Sequence, residues 1–198
     1  MDYLNKYFNQ RVIDYSRNYP FENKEYNDDV FHALNENDIF SMFNVGCYFF
    51  LKKEENKFVH ECGVGWFFKI IDVYEKGIYK KFIYCGTDDS LNIYLNAKYL
   101  LSTFLLPSLG NPTDYIENVA NENYQLGMKF LEDCAIDEFW DCGFVYEELF
   151  YRYTIGCGVN PDEKKALHYA LKRPLNTKST NILGEPIKLF PNAPIREA

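Results

Sequence analysis

The sequence predicts an all-α protein of antiparallel helix pairs stacked as an α-solenoid, with an irregular N-terminal half. Three observations carry this. Apolar residues recur at helical intervals through most of the 198 residues. One helix–turn–helix signature, between 149 and 169, has both of its ends specified by glycine, proline and capping residues. Aromatics make up 18 % of the chain while glycine (11) and proline (8) are sparse, which excludes a disordered or linker-like protein. A chain of this length holds one substantial core or about five αα-hairpins of ~35–40 residues.

Residues 3–17 place Tyr3, Leu4, Tyr7, Phe8, Val12 and Tyr15 at helical spacing, in a helix ending before Pro20. The stretch 21–40 is polar and acidic: Glu22, Glu25, Asp28, Asp29, Glu36 and Asp38 stand against Lys24 alone, and no helix is assigned there. Asn37 is the expected cap of a helix from Asp38 to about Leu51, carrying Ile39, Phe40, Phe43, Cys47 and Phe50. Glu54 to Lys76 reads as a long amphipathic helix with Phe58, Cys62, Trp66, Ile70 and Val73 in one stripe, stopped by Gly77. Gly63 and Gly65 inside it cost about 1 kcal/mol each relative to alanine, so unless they end a helix they imply close packing. Residues 78–85 fit a short helix or a strand. Ser90 is read as the cap of a helix from Leu91 to Leu106, which ends by Pro107. Pro107 to Pro112 is a loop, and Thr113 caps a helix over about 114–133.

A helix over 136–153 is predicted to bury Phe139, Cys142, Tyr146, Leu149 and Tyr153. Asp137, Asp141 and Glu148 then share the opposite face, being four and seven residues apart. Leu149 to Val159 ends that helix in a two-glycine turn. Gly156 takes the left-handed conformation and Gly158 permits a close backbone approach. Asn160 is read as the N-cap of the next helix, with Pro161 at its first position and Asp162 and Glu163 at the positive end of its dipole. Ala166 is the small residue at the crossing, and Tyr153, Leu167 and Tyr169 supply bulk.

This string resembles the Sel1-like repeat, a relative of the tetratricopeptide repeat, at Leu149, Tyr153, Gly156, Gly158, Val159, Asp162, Lys165, Ala166 and Tyr169. It departs at Phe150, where the family has glycine, which places the helices further apart there. Fainter echoes occur at Val45-Gly46-x-x-Phe49, Leu126-Gly127-x-x-Phe130 and Gly63–Lys69. The resemblance implies a helical-repeat domain over 1–173. The residues from 174, with Pro174, Pro186, Pro191 and Pro194, read as an extended tail.

Net charge is −8, which disfavours nucleic acid and anionic membrane and suits a basic protein partner. The charge is segregated: residues 132–148 hold seven acidic and no basic side chains, whereas 161–198 carry a net +3. No apolar run approaches the ~18 residues of a membrane span. The first residues lack a basic region followed by an apolar run, so no secretory signal is read. Six scattered cysteines are therefore expected as reduced core residues of a cytoplasmic protein.

Little in the sequence points to catalysis. His60-x-Cys62 is the one close His/Cys pair and has no second pair at ligand spacing, so Cys62 is read as core and no metal is expected. No nucleophile motif occurs, and Gly156-Cys-Gly158 lacks the Gly-Lys-Ser/Thr of a phosphate loop. No catalytic residue and no cofactor are expected. The carboxylates default to a solvated helix face. Read functionally, Asp137, Glu138, Asp141 and Glu148, with Asp28 and Asp29, suit docking of a cationic surface better than catalysis, which demands defined geometry. Families of this kind act as adaptors or regulators. The resemblance therefore implies a non-catalytic protein-interaction protein, and the acidity narrows it to an immunity protein against a basic toxin. The alternatives are an all-helical enzyme with an inter-helical carboxylate or metal site, and a small-ligand binder using the aromatic interior.

Overall fold

Asn9 divides the first apolar stripe, so that two helices form where one is predicted. The computed structural model describes residues 3–21, 23–52, 56–109, 121–136, 139 and 142–172. In it α1 (Tyr3–Tyr7) ends before Asn9, whose extended backbone and side chain start α2 (Gln10–Asn18). Asn9 Oδ1 accepts from the Val12 amide at 3.3 Å, satisfying one of the donors a helix start leaves open.

The acidic stretch, to which the sequence assigns no helix, forms α3 (Lys24–Glu36). Only Val30 and Ala33 of it are buried, too narrow an apolar stripe to stand out in the sequence. Its start is fixed by Asn23, which accepts from the Glu25 amide at 3.0 Å. Asn37 ends α3 rather than starting the next helix: it adopts φ 51°, a left-handed conformation asparagine tolerates. Asp38 is the cap of α4 (Ile39–Leu51), accepting from the Phe40 and Ser41 amides at 3.1 and 3.0 Å.

Helices α4 and α5 (Lys57–Glu75) form the centre of the first unit. Phe49, Trp66, Phe67, Ile39, Met42 and Ile70 are fully buried there. Both glycines of α5 are sites of close approach, as their cost predicts. A Cβ on Gly63 would lie 2.5 Å from the Phe50 amide nitrogen and 2.7 Å from the Gly46 carbonyl. A Cβ on Gly65 would collide with the Tyr7 carbonyl. Trp66 Nε1 donates to Ser16 Oγ at 3.0 Å, tying α2 to the same core.

Of residues 78–85, which fit a helix or a strand, Ile83 and Tyr84 are strand and none is helix. β1 (Ile83–Tyr84) and β2 (Thr87–Asp88) pair antiparallel across Cys85-Gly86. Both turn residues have positive φ (50° and 84°), as a tight two-residue hairpin requires. α6 (Ser90–Leu105) follows, and Ser90 is its first residue. The Ser90 hydroxyl accepts from the Phe82 amide at 2.8 Å, so it ties down the strand segment instead of capping the helix.

One compact unit ends at Phe104 and a second begins at Leu105. The second contains α7 (Glu122–Asp133, capped by Asn121), α8 (Cys142–Ile155) and α9 (Glu163–Lys172). The predicted cap Thr113, the helix start near Asp114 and the tail from 174 lie outside the described residues. α8 is shorter than the predicted 136–153. After α7 the chain turns, with the Ala135 amide on the Glu132 carbonyl at 3.0 Å and the Phe139 amide on Ile136 at 3.1 Å. Phe139 is buried from this turn and not from a helix. The described residues thus form an all-α fold of nine helices with one two-residue-per-strand hairpin.

Candidate functional site

Gly156 adopts the predicted left-handed conformation, and Gly158, for which only a close approach is expected, is left-handed as well. Gly156 has φ 77° and Gly158 φ 75°. The amides of Gly156 and Cys157 return to the Arg152 carbonyl at 2.9 and 3.2 Å and close α8. A Cβ on Gly156 would stand 2.8 Å from the Pro161 ring, and one on Gly158 would stand 3.1 Å from Leu106. Val159 is half-buried just beyond, and Ala166 sits at the crossing with 5 % exposure. The cap differs from expectation. Asp162, not Asn160, caps α9, its Oδ1 accepting from the Lys165 amide at 3.0 Å. The Asp162 amide donates to the Tyr153 carbonyl at 2.9 Å, which holds Asn160 and Pro161 outside the helix. Leu167 adds no bulk to the crossing, for it is exposed.

Two polar clusters lock this hairpin. Tyr153 donates from its hydroxyl to Glu132 Oε1 at 2.5 Å, and Lys165 Nζ donates to both at 2.8 Å. Burial, reinforced by Glu132, pushes the Tyr153 phenol up to about 12. The Glu132 and Tyr153 oxygens raise Lys165 above its ordinary value. A phenol shifted that way keeps its proton near neutrality and so remains a donor to Glu132. Tyr169 stacks beside it, with ring centroids 6.0 Å from Tyr153 and 6.3 Å from Tyr146. The second cluster centres on Arg152, buried to 3 % exposure. It grips Glu148 Oε1 at 2.7 and 2.9 Å, and it donates to the carbonyls of Pro107 at 3.2 Å and Cys157 at 3.3 Å.

That pair corrects the reading of the acidic helix. Glu148 does not project into solvent: its side chain is 15 % exposed and ion-paired to Arg152. Asp137, Glu138 and Asp141 lie outside the described residues, as does the side chain of Cys142. In the first unit the acids of α3 and of the start of α4 are described, whereas Asp2, Glu22, Glu54 and Glu55 lie outside the described residues. Lys80 pairs with both Glu36 at 2.8 Å and Asp38 at 3.1 Å. Asp29 is half-buried and accepts from Asn44 Nδ2 at 3.1 Å, and burial raises its carboxyl. Asp28 and Glu25 are exposed. Three residues after Asp28, on the same face of α3, Phe31 is 58 % exposed. Asp28 has no ion-pair or hydrogen-bond partner among the described residues.

Cys62, Cys134 and Cys157 are buried as the core reading expects and Cys47 is half-buried, but Cys85 departs from it, being exposed in the hairpin turn. Cys62 is fully buried, and burial pushes the thiols of Cys47 and Cys62 up to about 12. His60 turns its Nδ1 to the Phe50 carbonyl at 2.8 Å, beside the α4–α5 packing. No disulfide joins any two of the described cysteines 47, 62, 85, 134 and 157. Among the described residues no three His, Cys, Asp or Glu side chains converge as a metal site. No described helix is long and apolar enough to cross a membrane.

No family model matches the chain, and no curated protein or solved structure is significantly similar to it. The resemblance to the Sel1-like repeat rests on the residues of the α8–α9 hairpin.

Proposed function

We propose that this chain is a non-catalytic protein-binding protein whose partner presents a basic surface to the outer face of α3. The observation that carries this is Phe31, an exposed aromatic on the same helical face as Asp28 and near Glu25. Apolar anchors ringed by polar and charged groups are the chemistry of protein interfaces, where an aromatic supplies most of the energy. Carboxylates beside it attract and orient a cationic partner, raising association rate and selecting against acidic competitors. A net charge of −8 favours the same class of partner over nucleic acid. The narrower reading is an immunity protein acting in the cytoplasm on a basic toxin domain, which needs this charge complementarity and no catalytic group. An enzyme with a carboxylate or metal site is the less supported reading, since the polar clusters described are mutually satisfied.

Co-purification from the native source tests the proposal. Full-length protein should retain a stoichiometric partner with a basic surface, and Phe31→Ala with Asp28→Lys should release it. Recovery of no partner, or retention of the partner by the double variant, would contradict it. Stoichiometric metal in the purified protein would favour the enzyme reading instead.

A further inference from the structure

A second exposed apolar face lies on α9, and its charge is opposite to that of the α3 face. Leu167 and Leu171 are 60 % and 80 % exposed. They follow Lys164 by three and seven residues, so the three side chains share one face of the helix. The other side of α9 is spent on its own hairpin: Ala166 is buried, Tyr169 stacks beside Tyr153 and Tyr146, and Lys165 is held by Glu132. Lys164 is exposed and has no ion-pair partner among the described residues. On α3 the exposed Asp28 stands three residues before the exposed Phe31, with Glu25 a turn earlier and Lys24 the only lysine or arginine of the helix. Both helices thus present a charge one turn before an open apolar side chain, with the sign reversed.

We infer that the α9 face is occupied by a second copy of this chain, through its α3. Phe31 of one copy rests on Leu167 and Leu171 of the other, and Lys164 meets Asp28. This contact rests on the reading of α3 as a docking face for basic surfaces, and it makes self-association a competitor of the basic partner. An anionic lipid or nucleic acid would also suit leucines beside lysines, but a net charge of −8 opposes both. The two faces differ, so each pair leaves one α9 and one α3 face open, and further copies add until a ring closes. Two single-helix faces bury less than the ~1,200–2,000 Å² of stable complexes, so the association is weak and reversible.

Sedimentation velocity of the purified full chain is the test, in reductant so that the exposed Cys85 does not cross-link copies. The weight-average mass should rise with protein concentration and fall back when salt is added. Asp28→Lys and Lys164→Asp should each raise the concentration needed about tenfold or more, since like charges then face each other. An equimolar mixture of the two variants should recover association, because Lys164 of the first then meets Asp28 of the second. A folding defect is not healed by mixing. Leu171→Ala should weaken association as well. All three positions are exposed, so these variants fold. A monomer at every concentration would overturn the inference, whether the leucines are then covered by the residues after 172 or meet a different protein. Association unmoved by both charge changes, or not restored on mixing, would do the same. A chain that is monomeric alone yet retains a basic partner from its native source contradicts self-association only. One that self-associates but retains none upholds it while contradicting the proposed function.

Discussion

Arg152 shows how much a single side chain holds in this protein. Its guanidinium binds an acid on its own helix, the Pro107 carbonyl and the glycine turn at Cys157. Arg152→Met removes the donors to both carbonyls and leaves Glu148 as a largely buried, unpaired carboxylate. Breaking a buried pair in this way costs about 3–5 kcal/mol, so the variant should show a clear drop in denaturant midpoint. Arg152→Lys should recover little of it, because an ammonium cannot reproduce the planar fork. Tyr153 makes a second residue-level prediction. Its phenol is raised to about 12 from an unfolded value near 10. Stability from such a group is complete below the unfolded value and is lost as pH rises from about 10 towards 12. Tyr153→Phe should cost about 1 kcal/mol at neutral pH and should unfold with a shallower alkaline dependence over that interval. An unaltered alkaline profile would mean that Tyr153 does not titrate as placed. Gly156 and Gly158 were legible in the sequence because a helix–Gly-x-Gly–helix junction has few conformational solutions. Arg152 was not: an arginine read alone belongs on the surface, and its one signal was the four-residue spacing from Glu148.

At the scale of elements, the long apolar stripes gave α4, α5 and α6 to within a few residues, since burial on one side demands a 3.6-residue period. Where that period weakened, the reading failed. α3 buries only two side chains, and its capping asparagines look like loop residues until the backbone is seen. Residues 136–153 merged a turn with a helix because Phe139 falls in phase with α8 by coincidence of spacing. The α4–α5 crossing yields the clearest element-level test. Gly63→Ala gains about 1 kcal/mol in helix propensity, yet places a methyl 2.5 Å from the Phe50 backbone, which cannot swing aside like a side chain. Overpacking costs of about 1–3 kcal/mol should win, and thermal unfolding should show a lower midpoint. A higher midpoint would mean that α4 and α5 lie further apart than described here.

For the whole molecule, the surplus of acid over base is the property that composition revealed at once, and the structure redistributes it. Glu148 is taken up by Arg152, Glu36 and Asp38 by Lys80, and Glu132 by Lys165. Among the described acids of the first unit, Asp28 and Glu25 are exposed on the same helix as an exposed Phe31. Docking of a basic protein on the outer face of α3 is the central claim. Its most direct test is the association rate with the co-purified partner, measured by stopped flow across a range of ionic strength. The rate for the unmodified protein should fall steeply with salt. Asp28→Asn with Glu25→Gln should lower it at low salt and flatten the dependence, and Phe31→Ala should mainly speed dissociation. A rate indifferent to salt, to the two amides and to Phe31→Ala would place the binding surface elsewhere and contradict the account.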